Sequence, residues 1–337
     1  MITQSDLDKY DARGMYKIYD EWPNIAKKSY ESESEYDRVT EIDHVIFAGM
    51  GGSGALGDVF SSILSKINIH VSVVKGYLLP KTTDEKTLVV ATSISGNTIE
   101  TLTVLNSALK MNCKIIAFSS GGKMENFCKK NNVEYRKPVF HHSPRASFTG
   151  YLYSMLKALS DVLPIEENEV NESIDFLKKT HAKVSTQNLT ETNESLNLAR
   201  WINGIPLIYY PGGLQAAAIR FKNSLQENAK MHAAIEDVVE ACHNGIVAWE
   251  QRSNVKPILI EGTEDHIKTK ERWEIIKKYF KENKIEYREI HSISGNILSK
   301  LICLIYLLDY STIYLAVQSK IDPSPVNSID YIKKKLN

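Results

Sequence analysis

Thr92, Ser93, Ser95 and Thr98 place four hydroxyls within seven positions, and Gly96 and Asn97 between the last two permit a tight turn. The apolar run from Leu88 to Ala91 ahead of them predicts a buried strand, and Glu100 opens a helical pattern. Such a junction gathers O–H donors, the unpaired N–H groups of a first helical turn and the positive end of a helix dipole at one point. That is the chemistry of anion binding. Helix capping would account for one or two hydroxyls and leaves the others unexplained. The loop has no Gly-Lys-Ser/Thr for nucleotide phosphates and no neighbouring Asp pair for magnesium, so the expected ligand is a phosphomonoester bound without metal.

A glycine-rich stretch, Gly49-Met-Gly-Gly-Ser-Gly54, follows another apolar run, His44 to Ala48. Gly51 and Gly52 let a ligand approach the backbone, and Ser53 stands where a first-turn hydroxyl would meet it. Gly49, Gly51 and Gly54 also have the spacing of a dinucleotide loop, but no acid closes a ribose site near Val71 to Val74. Arg145, in His141-His-Ser-Pro-Arg-Ala-Ser147, is either a cation at a helix entrance aimed at the same ligand or an ordinary surface arginine. Glu227 lies in Asn223-Ser-Leu-Gln-Glu-Asn-Ala-Lys230, a polar stretch on a helix that should be packed. Held in a pocket, its carboxylate can take a carbon-bound proton; on an open helix it would simply pair with Lys222 or Lys230. His243 sits in a loop, where a lone histidine is commonly a hydrogen-bonding residue, and Lys333 reads as a helix-end cation.

The elements that must carry these residues alternate. Strands are predicted at 44–48, 69–75, 88–91, 114–119 and 134–140, with helices at 55–65, 99–111 and 151–163. After Pro164 and a polar linker come a helical region over 172–203, a strand at 205–210, the turn Pro211-Gly-Gly213 and a helix to about residue 231. Strands at 257–261 and 285–290, helices at 271–281 and 297–317, and a short basic tail helix complete the pattern. This is an α/β chain with two doubly wound parallel-sheet domains, expected at 37–164 and 165–337, a helical N-terminal arm over 1–36 and a C-terminal helix. In such sheets ligands lie beyond the carboxyl ends of the strands, and three of those ends, near Gly49, Thr92 and Ser119, carry Gly and Ser.

With 337 residues, 43% hydrophobic, the chain can build two cores, and 41 basic against 41 acidic residues leave no global field for nucleic acid or an anionic membrane. Cys113, Cys128, Cys242 and Cys303 lack metal-site spacing, the opening segment has acids and no apolar core, and the longest apolar run, Leu301 to Leu308, is too short to span a bilayer. A cytoplasmic protein that contacts neither nucleic acid nor membrane is expected.

Taken in order, GMGGSG at 49–54, SISGNT at 93–98, PRAS at 144–147, QENAK at 226–230, CHN at 242–244 and the terminal IDYIKKKL resemble the bifunctional phosphoglucose/phosphomannose isomerase family, with its sugar isomerase fold, over almost the whole chain. The resemblance implies an aldose-ketose isomerase that interconverts glucose 6-phosphate, and mannose 6-phosphate, with fructose 6-phosphate through a cis-enediol and needs neither cofactor nor metal. It implies that Ser53, Ser93, Ser95 and Thr98, with Gly51 and Gly52, bind the sugar phosphate. By the same resemblance Glu227 is the base, His243 and Lys333 serve ring opening, and Arg145 stabilises the enediolate. It also implies a homodimer with shared active sites. A sugar-phosphate-sensing module would keep the loop at 93–98 without needing Glu227, His243 and Lys333, and the isomerase part of a glutamine-dependent amidotransferase would carry a glutaminase domain with a nucleophilic cysteine.

Overall fold

The computed structural model describes residues 2–34 and 41–336. Three helices come first, α1 (Gln4–Tyr10), α2 (Met15–Asp20) and α3 (Trp22–Ser32). Of the arm expected over 1–36, Met1, Glu35 and Tyr36 lie outside the described residues. The first sheet then forms from β1 (His44–Ala48), α4 (Gly52–Leu64), β2 (His70–Val74), β3 (Thr87–Thr92), α5 (Ile99–Ala108), β4 (Lys114–Phe118), α6 (Gly122–Asn131) and β5 (Glu134–Arg136). Its five strands are parallel in the order β2-β1-β3-β4-β5. Every residue of β1 and β3 is buried, as expected of central parallel strands covered on both faces, whereas the edge strand β2 is half-exposed.

Two expectations shift here. β5 stops at Arg136 because Pro138 follows and offers no N–H to a ladder. The helix α6, absent from the sequence-based pattern, starts at Gly122 directly after Gly121, and its polar face masks the period carried by the buried Met124 and Cys128.

Helix α7 (Phe148–Ala158) precedes α8 (Glu167–Val184) and α9 (Glu194–Trp201). The helical region expected over 172–203 is thus two helices, and Asn193, whose side chain accepts the Leu196 N–H, starts the second. The second sheet comes from β6 (Ile205–Tyr210), α10 (Gln215–Glu227), β7 (Ala234–Asp237), α11 (Val238–Ala241), β8 (Val255–Glu261), α12 (Ile267–Glu282) and β9 (Arg288–His291). It is four-stranded and parallel in the order β7-β6-β8-β9. The strand β7, missing from the pattern, is only partly buried at an edge and carries two acids.

Two helices follow, α13 (Ile297–Gln318) and α14 (Asn327–Leu336). In α13 the mean hydropathy reaches 1.6, long and apolar enough by length and composition to cross a membrane, and 94% of that window is buried within the protein. The apolar run looked shorter in sequence because Asp309, Ser311 and Thr312 interrupt it, and all three are buried.

The chain divides into two compact units that interleave in sequence. One comprises Met1–Asp20, Lys179–Ser294 and Cys303–Asn337; the other comprises Glu21–Lys178 and Gly295–Ile302. The helical arm expected over 1–36 is therefore shared, because its residues pack where their partners are. In the first of these units the Tyr19 hydroxyl donates to Asp309 (3.0 Å) and the Tyr306 hydroxyl to the Tyr19 carbonyl (2.6 Å). In the other, the Trp22 ring stacks on Phe148 at 6.2 Å and its N–H donates to the Ala146 carbonyl at 3.1 Å.

Candidate active site

The chain order of the first sheet reverses between β1 and β3, and the loops leaving their carboxyl ends are the glycine-rich and hydroxyl stretches. They touch: the Ile94 N–H donates to Ser53 Oγ at 3.2 Å. The Ser93 hydroxyl donates to Thr98 Oγ1 at 2.9 Å, and the Asn97 N–H donates to Ser95 Oγ at 3.3 Å. Ser53, Ser95 and Thr98 are thus used as acceptors, and among the described residues none of their hydroxyl protons has an acceptor. Three O–H groups that each accept one bond and keep their protons available form a donor set suited to an oxyanion. Ser93 differs. It is wholly buried, and with its proton committed to Thr98 it holds that residue in place instead of facing a ligand.

Both helices leaving this corner begin without a side-chain cap, at Gly51 for α4 and Thr98 for α5. Gly51 takes φ +55°, which opens the turn at little cost, and a Cβ there would meet nothing within 4 Å. Gly96, at φ +68°, is needed for a different reason, since a Cβ would collide with the Gly121 carbonyl of the neighbouring loop. That loop braces the first: Ser120 donates its N–H (3.2 Å) and hydroxyl (2.6 Å) to the Ile94 carbonyl, and the Lys123 N–H donates to the Asn97 side chain at 3.1 Å. The supporting roles of Ser120 and Asn97 had no signal beyond the Ser-Ser-Gly-Gly composition at the end of β4.

Arg145 is only 4% exposed, which excludes an ordinary surface arginine. It sits in the turn ahead of α7. Trp22 holds that turn through the Ala146 carbonyl, and Ser147 ties it down by donating to the carbonyls of His141 (3.0 Å) and Ser143 (2.9 Å). α7 reaches the hydroxyl loop as well, since the Tyr151 hydroxyl donates to the Ile94 carbonyl at 3.4 Å.

Glu227, His243 and Lys333 belong to the other unit. Glu227 is the last residue of α10, half-buried, and the polarity around it is explained by α13. Arg220 donates to Asp309 Oδ2 through Nε (3.0 Å) and Nη2 (2.7 Å), Ser224 donates to Asp309 Oδ1 (2.6 Å), and the Asn228 amide donates to Thr312 Oγ1 (2.8 Å). Burial opposes the Arg220 charge, but the Asp309 carboxylate outweighs it and raises the guanidinium's pKa, with a smaller contribution from Glu227. A fixed cation therefore acts on the Glu227 carboxylate. His243 is exposed in the turn after α11, and among the described residues its ring makes no hydrogen bond. Two residues on, Gly245 backs onto the Glu236 carboxyl, whose pKa is pushed up by burial and then by Glu240. Lys333 is exposed on α14, and α14 has no buried residue. Among the described residues no three His, Cys, Asp or Glu side chains converge as a metal site would require.

A parallel sheet ending in hydroxyl and glycine loops, followed by a second parallel sheet, defines the sugar isomerase class of α/β proteins. The SIS domain model matches residues 39–139, and the bacterial phospho-glucose isomerase C-terminal SIS domain model matches residues 191–336. The structure is similar to that of a hypothetical protein from Thermus thermophilus, with a TM-score of 0.74 at 13% identity over 99% of this chain and 92% of that one. A bifunctional phosphoglucose/phosphomannose isomerase from Caldicellulosiruptor bescii is 32% identical over 93% of this chain and 96% of its own, and one from Aquifex aeolicus is 29% identical over 96% of each. The chain belongs to the bifunctional phosphoglucose/phosphomannose isomerase family, and by that membership it is an isomerase.

Proposed function

We propose that the protein interconverts glucose 6-phosphate with fructose 6-phosphate, and mannose 6-phosphate with the same ketose. The observation that carries this assignment is the corner of the first sheet, where three hydroxyls keep their protons available to an oxyanion, in a chain of this family. Ser53, Ser95 and Thr98 hold the phosphate with the backbone at Gly51 and Gly52, and Ser93 fixes Thr98 from behind. Binding energy from the unreactive phosphate then serves to orient the reacting carbons.

Glu227 removes the proton from C2 and returns it to C1. The C2–H bond breaks, C1–H forms, and the carbonyl moves from C1 to C2 as a proton passes from O2 to O1. Arg145 offsets the charge that develops on oxygen in the enediolate, and His243 and Lys333 move the ring-opening proton. The active protein is a homodimer in which His243 of one protomer completes the partner's site. All four cysteines are free thiols, in keeping with a reducing cytoplasm.

The test is a coupled assay starting from fructose 6-phosphate, with glucose and mannose 6-phosphates scored separately, on wild type and Glu227→Gln. The variant keeps the shape of the side chain without the base, so turnover falls by roughly 10² to 10⁴ while substrate binding survives. Wild-type turnover by Glu227→Gln would place the base elsewhere, and absence of turnover in the wild type would leave a binding module.

A further inference from the structure

Lys230 belongs to the QENAK stretch but has no part in the chemistry above. Its ammonium donates to three carbonyls, those of Glu227 (2.5 Å), Pro323 (3.1 Å) and Pro325 (2.7 Å). We propose that Lys230 is a positioning residue whose ammonium clamps the turn Pro323–Pro325 to the C-terminal end of α10, setting the segment that launches α14 and Lys333 against the helix end that carries Glu227. The proposal rests on the assignment of Glu227 and Lys333 to the reaction.

Three features support a clamp. An ammonium has three N–H donors and no acceptor, so three carbonyls match its capacity. The turn cannot supply those donors readily, because two of its three residues are prolines without an N–H, and the Ser324 N–H is taken by Asp322 Oδ1 at 2.8 Å. Pro323 and Ser324 are nevertheless buried, so their neighbourhood requires polar partners from elsewhere.

The backbone at Lys230 decides which substitution suits the test. Lys230 has φ +57°. It lies just beyond the C-cap of α10, Asn228, in the left-handed region that favours glycine, and the Met231 N–H closes back onto the Leu225 carbonyl at 3.3 Å. A glycine would be at ease there and a lysine is less so, as Lys284 (φ +57°) and Lys320 (φ +59°) also are after α12 and α13. Among the described residues, α14 itself has none that is buried.

Lys230→Gly makes the test clean, because it relieves the backbone and deletes the ammonium together. In the full-length protein it should fold with an unchanged or higher melting temperature. Amide exchange over 326–336 should accelerate about tenfold or more. Turnover should fall about 10-fold to 100-fold with KM little changed, since the phosphate loop is untouched. Lys230→Arg, which keeps a multiple donor, should recover part of both losses. In a Lys333→Ala background Lys230→Gly should cost no further turnover. Unchanged exchange across the tail in Lys230→Gly overturns the clamp. Full activity of Lys230→Gly beside an inactive Lys333→Ala overturns its catalytic consequence, whereas a fully active Lys333→Ala shows instead that the tail lysine has no role in the reaction.

Discussion

Ser95 and Thr98 illustrate how the direction of a hydrogen bond decides what a hydroxyl offers. Each accepts from a neighbour inside the loop and retains a proton for a ligand. Replacing both by alanine should raise the KM for fructose 6-phosphate about 10-fold to 100-fold, the loss expected for charged hydrogen bonds, with a smaller fall in kcat. Steady-state kinetics on the double variant checks this, and unchanged constants would remove the loop from the site. Asp11 is a second residue whose surroundings set its chemistry. Burial raises its pKa to about 6, Asp322 adds to the rise, and the N–H groups of Met15 (3.1 Å) and Tyr16 (2.7 Å) only partly offset it. A carboxyl with a raised folded pKa binds more protons folded than unfolded. Its contribution is therefore fully present below its ordinary pKa near 3.8 and lost as pH rises through about 6. Denaturant titrations of wild type and Asp11→Asn should show the variant gaining relative to wild type between pH 4 and pH 7, by on the order of 2–3 kcal/mol at most.

At the scale of elements, α10 is fixed to α13 by donors at 220, 224 and 228, one residue per helical turn along one face. Asp309→Ala removes the anion for a buried guanidinium and should cost about 3–5 kcal/mol of stability by chemical denaturation. Gly96→Ala should be damaging in the other unit, since its Cβ would drive the hydroxyl loop away from Gly121; we expect impaired phosphate binding with most of the fold retained. The hydroxyl loop was legible in the sequence because its chemistry is local, between residues no more than five apart, except for Ser53. The polarity of 223–230 was legible only as an anomaly. Its partners are 84 to 89 residues away, and no period or spacing points to them. The strands β1 and β6 fall at the expected residues, whereas β7 and α6 were missed because half-exposed or polar edge elements leave only a faint apolar pattern. Lys230 was visible as a helical neighbour of Glu227, but nothing in sequence joins it to Pro323 and Pro325.

For the whole molecule, the proposed shared site makes a concrete demand. Mixing inactive His243→Ala with inactive Glu227→Gln should restore activity in a fraction of hybrid dimers, measured after co-refolding and separation by tag; dead hybrids would confine each site to one chain. The interleaving of the two units also bears on how the protein is made. Tyr19 bonds to Asp309, 290 positions later, and at ribosomal speeds that separation is roughly 15 to 60 s of synthesis. During that time Tyr16, Tyr19 and the apolar faces of α1 and α2 await the helix that will cover them, and Gly295–Ile302 is likewise awaited by the unit that begins at Glu21. A ribosome stalled before α13 would therefore display a nascent chain in which neither unit has its full complement of contacts, and α13 itself would emerge as an apolar segment with its burial partners already waiting.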